Sequence, residues 1–335
     1  MQDEDDDMRN LFMESRSFDP YFNLALEQRL YESLQPGDAA LYLWQNQNTV
    51  VIGRNQNAWR ECKCELLESE GGHLARRNSG GGAVFHDLGN LNFTFAASEE
   101  RYDLARQLGV IKGALAELGI EAVASGRNDI TLADGRKFSG NAFQHGRGRS
   151  LQHCTLLISV DMAKLSRYLN PSKLKLAAKG VESVRARVCN LSELAPGITP
   201  DAMRPLLQAA FAREYGECEV ITPADFAGQA LDGAREHLAS WEWRFGQTPR
   251  FDVTLETRFV WGEVELALGL KAGRVERCAL HTDSMDEYLS ERVEGALTGK
   301  PFGKELAQAL YALADAGVSA EIAGDLRGWL AQELD

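Results

Sequence analysis

Arg76-Arg77-Asn78-Ser79-Gly80-Gly81-Gly82-Ala83-Val84-Phe85-His86-Asp87 places two cations ahead of three consecutive glycines and then enters a short β-prone segment. Glycine lets a backbone approach a ligand closely and take up positive φ. Successive exposed N–H groups in such a loop form a concave nest for an anion. Arg76 and Arg77 add fixed positive charge at its mouth, suited to a phosphate or a carboxylate. A flexible surface turn beside two solvated arginines has the same composition, so the surrounding segments carry the decision.

The chain of 335 residues, with 44% hydrophobic and 25% charged residues, suits an ordinary globular protein of about two domains. No run of eighteen apolar residues occurs, so no transmembrane helix is expected. Met1 to Asp7 is acidic and lacks an apolar core segment. It reads as a disordered leader over residues 1–10 rather than a signal peptide. Six scattered cysteines are not a disulfide framework and point to reduced thiols in the cytoplasm. Cys62-Lys63-Cys64 has no companion pair at zinc spacing. The net charge of −13 argues against nucleic acid. Yet residues 125–187 hold twelve Lys/Arg against four Asp/Glu, which fits either a local anionic ligand or a solvated basic face.

Asp19-Pro20 reads as an N-cap followed by proline at the first helical position, with Phe22, Leu26, Leu30 and Leu34 at helical spacing. Residues 41–44 and 49–52 form a hairpin-like pair of β-prone runs. Residues 83–86 and 91–96 suggest another pair. Helices are expected over 104–118, 162–169 and 202–215, and a strand over 156–160. Ala133-Asp134-Gly135-Arg136 reads as the turn of a hairpin joining 130–132 to 137–139. A composition shift near Trp241–Gly246 precedes a three-stranded meander over 251–259, 264–270 and 275–282, then two or three helices. Strands and helices mix without regular βαβ alternation. The fold is therefore α+β: a large N-terminal domain (1–248) and a smaller α+β C-terminal domain (249–335).

The chain has no P-loop, no dinucleotide fingerprint, no H-E-x-x-H and no G-x-S-x-G. Three other segments stand beside the glycine loop. Ser125-Gly126-Arg127-Asn128-Asp129 offers Asn128 and Asp129 to a hydrated Mg²⁺, or is an Asx-type turn entering a strand. Arg136-Lys137-Phe138-Ser139-Gly140 puts Lys137 near the start of a strand. The lysine-rich stretch 170–181 is a candidate flap closing over an anion, or a solvated loop.

Taken together these segments resemble the lipoate–protein ligase A family, within the wider superfamily of biotin and lipoate ligases and octanoyltransferases. The motifs are R-R-x-S-G-G-G-A-V-F-H-D at 76–87, S-G-R-N-D at 125–129, K-x-S-G at 137–140, L-N-P at 169–171, K-L-A-A-K-G at 175–180, S-V-R-x-R-V-x-N-L at 183–191 and S-W-E-W-x-F-G-Q at 240–247. The likeness runs in order from Phe18 onward.

The resemblance implies a biotin/lipoate-ligase-like mixed sheet in the large domain. It implies that free lipoate is activated with ATP and Mg²⁺ to lipoyl-AMP, releasing pyrophosphate. The lipoyl group then passes to a lysine of a lipoyl carrier domain. The carriers would be 2-oxoacid dehydrogenase E2 subunits and the glycine cleavage H protein, and the enzyme a monomer. Carried onto this chain, Lys137 is catalytic and contacts both ATP and the acid. Arg77, Gly82, Ala83, Val84 and Phe85 contact ATP. Arg76, Ser79, Gly80, Gly81, His86 and His153 face lipoate, although from the residues alone each histidine reads first as a hydrogen-bonded structural residue. Lys173, Lys175, Lys179, Gly180 and Arg185 belong to the loop over the adenylate. An apolar tunnel for the acyl tail is expected around Val84 and Phe93. The rival readings are an ATP-independent lipoyl or octanoyl transferase, with Cys154 as the nearest candidate nucleophile, a biotin ligase, and a non-catalytic lipoate-binding protein.

Overall fold

The computed structural model describes residues 8–125, 129–170, 188–245, 253–271 and 273–334. The strands are β1 (Asn10–Glu14), β2 (Ala39–Trp44), β3 (Thr49–Ile52), β4 (His73–Arg76), β5 (Val84–His86), β6 (Asn90–Ser98), β7 (Ala122–Ser125), β8 (Asp129–Leu132), β9 (Lys137–Gly146), β10 (Arg149–Leu157), β11 (Glu219–Ile221), β12 (Val253–Phe259), β13 (Gly262–Lys271) and β14 (Arg274–Thr282). An eight-stranded sheet has the order β11-β1-β2-β6-β10-β9-β8-β7. β1 runs parallel to both β11 and β2, and the remaining pairings are antiparallel. A second sheet, β4-β3-β5, lies in the same N-terminal part, and β12-β13-β14 forms the C-terminal meander. The mixed α+β architecture read from the sequence is the one observed. The expected domain boundary near 248 falls outside the described residues.

Every residue of β2 is buried, as for a strand covered on both faces. Leu41 and Leu43 pack with Phe93 and Phe95 of β6 and with Val110, Ile111, Leu207 and Phe211 of the helices Leu104–Ala116 and Pro200–Tyr215. Ala40, Tyr42 and Trp44 face the opposite way, toward Leu24, Leu26 and Leu30 of helix α1 (Pro20–Ser33) and toward Val51 and Ala75 of the small sheet. That second layer roofs the large sheet, and the candidate site lies between the two. Helix α1 starts as the sequence predicts: the Asp19 carboxylate accepts from the amides of Tyr21 and Phe22, with Pro20 in the first turn. Phe93 is fully buried, so Phe93→Ala is expected to cost about 3–5 kcal/mol, read as a lower urea midpoint.

Several local readings hold. The 130–139 hairpin forms between β8 and β9, with Gly135 at φ 85° in its turn. The meander and the helix Met162–Tyr168 are also present. Others are corrected. β2 and β3 are not a hairpin: β2 pairs with β1 and β6, and β3 with β4 and β5. β5 likewise pairs with β3 rather than β6. The strand expected over 156–160 begins at Arg149. Of the expected leader, residues 1–7 lie outside the described residues, and Asn10 already belongs to β1.

Candidate active site

A cavity of about 130 Å³ opens between the large sheet and its roof. It is lined by Leu24, Trp44 and Val51 on the apolar side, by Gly82, Ala83, Val84 and His86 from the glycine loop and β5, and by Lys137, Gly140, Asn141, Ala142, His153, Cys154 and Thr155 from β9 and β10, with Arg77 and Asn92 completing the wall. The sheet register explains the grouping. Trp44 pairs with Asn92 and Asn92 with Thr155, while His153 sits opposite Ala142. Side chains on one face of neighbouring strands come together in this way. β5 contributes by alternation: Val84 and His86 face the cavity, whereas the Phe85 side chain points away and packs on Tyr168, ring centroids 5.5 Å apart.

Lys137 opens β9 just where the β8–β9 register shifts between Ile130 and Thr131. Such a bulge re-aims a side chain. The backbone there is tied further by the Cys189 amide donating to the Lys137 carbonyl (2.9 Å). The ammonium group folds over Gly140, 3.0 Å from where a Cβ on that glycine would lie.

Arg77 staples the glycine loop from within. Its Nη2 donates to the carbonyls of Gly80 (2.7 Å) and Gly82 (2.8 Å), its Nη1 to Val51 (3.3 Å), and its Nε to the Ser79 hydroxyl (3.1 Å). Burial lowers its pKa to about 10, partly opposed by Glu27, which still leaves a full cation at neutral pH. Gly81 takes φ 89°, open to glycine at little cost. Gly53 is required for proximity: a Cβ there would lie 2.1 Å from the Gly81 carbonyl oxygen. Gly53→Ala is therefore expected to displace the loop, costing about 1–3 kcal/mol of stability and raising KM for the ligand that the loop holds. A steady-state titration compared with a melting curve checks it.

Arg76 is not where the sequence reading puts it. Its guanidinium is buried and donates to five backbone carbonyls: Gly53 (3.2 Å), Arg54 (2.8 Å), Gln56 (2.6 Å), Trp243 (2.8 Å) and Arg244 (2.8 Å). It ties the 53–56 turn to the 243–244 segment and is no cation at a mouth. Ser79, Gly80 and Gly81 also lie outside the cavity lining. The Gly81 amide donates to the Ser284 carbonyl (2.8 Å), and a Cβ on Gly80 would meet the carbonyl oxygens of Ser284 (2.5 Å) and Met285 (2.8 Å). Part of the expected anion nest is thus occupied by the C-terminal domain. Phe93 belongs to the core on the far side of the sheet, and its neighbour Asn92 lines the cavity instead. Asn128, Lys173, Lys175, Lys179, Gly180 and Arg185 lie outside the described residues. Asp129 opens β8, its backbone paired with Gly140. Among the described residues no cluster of three or more His, Cys, Asp or Glu could hold a metal.

The two histidines differ. His86 has Nδ1 facing the amide groups of Asn46 (3.2 Å) and Asn92 (3.5 Å). Amide NH₂ donors require Nδ1 to accept, so the proton sits on Nε2, a buried atom with no hydrogen-bond partner. Burial, then Arg77 and His153, push its pKa down to about 3, so this ring is a neutral donor in the wall. The sign for stability follows. Below pH 6.5 the unfolded chain binds a proton that the folded ring refuses until about pH 3, so this group makes stability fall as pH drops from 6.5 toward 3. His86→Gln is expected to flatten that part of the difference curve, measured as urea midpoint against pH for both proteins. His153 is part of a buried network with Ser79 and Glu27, 2.6 Å and 3.1 Å away. Sequence reasoning missed Glu27, Trp44, Asn92 and Thr155, which carry no local motif and reach the site only through sheet register.

A glycine loop stapled by Arg77, the Lys137 ammonium group and an apolar recess line one cavity, an arrangement suited to a ligand with an anionic group and an apolar body. Comparison with known proteins agrees. Residues 19–212 match the lipoyl protein ligase A/B catalytic domain, and residues 248–325 match the bacterial lipoate protein ligase C-terminus. The chain belongs to the lipoate–protein ligase family. Among solved structures it is similar to LipL1 of P. falciparum in complex with lipoate, with 27% identity over 96% of this chain and 99% of that one and a TM-score of 0.84. A bi-partite lipoate protein ligase from Thermoplasma acidophilum, studied with its E2 lipoyl domain, gives 27% identity, 73% and 100% coverage and a TM-score of 0.62. A lipoate–protein ligase A bound with ATP gives 26% identity, 71% and 98% coverage and a TM-score of 0.60.

Proposed function

We propose that this protein is an ATP-dependent lipoate–protein ligase. The observation that carries the reading is that Lys137, Arg77 and the Gly82–Val84 backbone share one cavity with Leu24, Trp44 and Val51. The carboxylate of lipoate attacks the α-phosphorus of ATP, supplied with its Mg²⁺ as co-substrate. A carboxylate–phosphate bond forms and pyrophosphate leaves. Two anions must meet for this, and an ammonium between them lowers their repulsion and stabilises charge developing in the transition state. Lys137 suits that role as a compact point charge. Arg77 shapes the loop from Gly82 to Phe85 around the nucleotide by way of the backbone. The acyl tail runs along Val51, Val84, Trp44 and Leu24, where burying about six methylenes offers ~5 kcal/mol. The His86 Nε2–H supplies a donor in the same wall.

In the second half-reaction a carrier lysine amine attacks the acyl carbonyl of lipoyl-AMP. An amide forms and AMP departs. The carriers are lipoyl domains of 2-oxoacid dehydrogenase E2 subunits and the glycine cleavage H protein, and the enzyme works as a cytoplasmic monomer. All six thiols are free, which supports a reducing compartment.

Pyrophosphate release with ATP and lipoate tests the reading. Release that requires both substrates is expected. No release, with acyl exchange between carriers instead, would favour the transferase. The Cys154 thiol speaks against that alternative: burial pushes its pKa well up, and a thiol held protonated is a poor nucleophile. Binding without either reaction would leave a lipoate-binding protein.

A further inference from the structure

Running from the cavity wall into the core, three side chains from distant parts of the chain form a serine–histidine–carboxylate line. The Ser79 Oγ lies 2.6 Å from His153 Nε2, and His153 Nδ1 lies 3.1 Å from each oxygen of Glu27. Glu27 also accepts from the Thr94 hydroxyl (2.5 Å), which accepts in turn from the Trp44 indole N–H (3.0 Å). All of these groups are buried.

The donor pattern allows one arrangement when the ring is neutral. A carboxylate only accepts, so Nδ1 carries the proton. Nε2 then accepts, and the Ser79 hydroxyl donates to it. The Ser79 oxygen has a lone pair remaining, which takes the Arg77 Nε–H at 3.1 Å. An unbroken chain therefore runs from the buried anion of Glu27 through His153 and Ser79 to the guanidinium that holds the carbonyls of Gly80 and Gly82. Its two ends carry opposite charge, and each buried charge is satisfied through the chain.

The same three residue types make a nucleophilic triad in hydrolases, but the placement here is wrong for attack. His153 and Arg77 line the cavity and Ser79 does not. Ser79 is 1% exposed, and the loop carbonyl of this same residue accepts from the Arg54 amide (2.9 Å). The hydroxyl is sealed under the loop that it supports.

We infer that Glu27 is a positioning residue: it fixes His153 in the Nδ1–H tautomer, so that Ser79 and through it Arg77 hold the glycine loop in its nucleotide-binding shape. This rests on the ligase reading only for its kinetic consequence. The tautomer is a property of the folded chain.

The tautomer is measured directly, by ¹⁵N chemical shifts of the histidine side chains in the full-length protein, with His153→Asn assigning the resonance. In the neutral ring the proton is expected on Nδ1, and Glu27→Gln should move it to Nε2, because an amide can donate to Nδ1. A wild-type ring protonated on Nε2 overturns the inference. For kinetics, Glu27→Gln and Ser79→Ala are each expected to lower kcat/KM for ATP by about 10- to 100-fold, the scale on which outer partners of a site act, mainly through KM. The double variant should lose no more than the worse single one, since both break one chain. Multiplying losses would show two independent structural effects and overturn the proposal. So would hydrolysis of p-nitrophenyl octanoate that Ser79→Ala abolishes, which would make Ser79 a nucleophile. A wild-type protein that releases no pyrophosphate would refute the ligase reading and leave the tautomer test standing.

Discussion

Lys137→Ala is expected to lower lipoate-dependent pyrophosphate release by about 10²–10³-fold, or 3–4 kcal/mol of transition-state stabilisation, with the melting curve close to wild type. The side chain lies at the cavity on a bulged strand end, and the strand is held there by its backbone: the Lys137 carbonyl accepts from Cys189. Truncation removes the charge and leaves that anchor. The loss should fall on kcat as well as KM, because repulsion between the carboxylate and the phosphate is greatest as they meet. Lys137→Arg is not a conservative rescue: its planar fork is larger and cannot sit over Gly140 as a point charge. A folded Lys137→Ala protein with ordinary adenylation would remove Lys137 from the chemistry.

Arg76→Met is expected to act on the fold. It withdraws the donors from five carbonyls, in the 53–56 turn and at Trp243 and Arg244. Each buried carbonyl left without a donor costs about 1–3 kcal/mol, and several together come to on the order of 10 °C in Tm for a chain of this size. The methionine fills part of the space but cannot donate. Lipoate affinity per folded molecule, measured by calorimetry well below the transition, should change little. An unchanged Tm with weakened lipoate binding would return Arg76 to the ligand. The paired arginines of the motif thus divide the work, Arg76 joining segments and Arg77 shaping the loop at the cavity. Strand alternation sends neighbours to opposite sides, so adjacency in sequence is a poor guide to shared purpose.

Legibility varied with the range of the interaction. The helix at Pro20, the Asp134–Gly135 turn and the C-terminal meander were readable because caps and turns are decided within a few residues. The glycine loop and Lys137 were readable as motifs. The pairing of β2 with β1 and β6, and of β3 with β4 and β5, was not. Hairpin reasoning joins strands that follow one another, whereas burial of β2 on both faces selects partners from either side of the sheet. β1 was missed because five residues beside an acidic tail carry too little periodicity to stand out.

By itself the sequence determined the α+β class, the glycine loop with its arginines, the lysine at the head of β9 and the family, since each depends on residue types at short spacings. Only the tertiary structure decided which arginine faces the cavity, that Phe85 and Phe93 turn away from it, and that Glu27, Ser79 and His153 meet. Those outcomes depend on strand register and on which face each side chain takes. Shifting a strand by one residue would reverse every one of them while leaving the local sequence untouched.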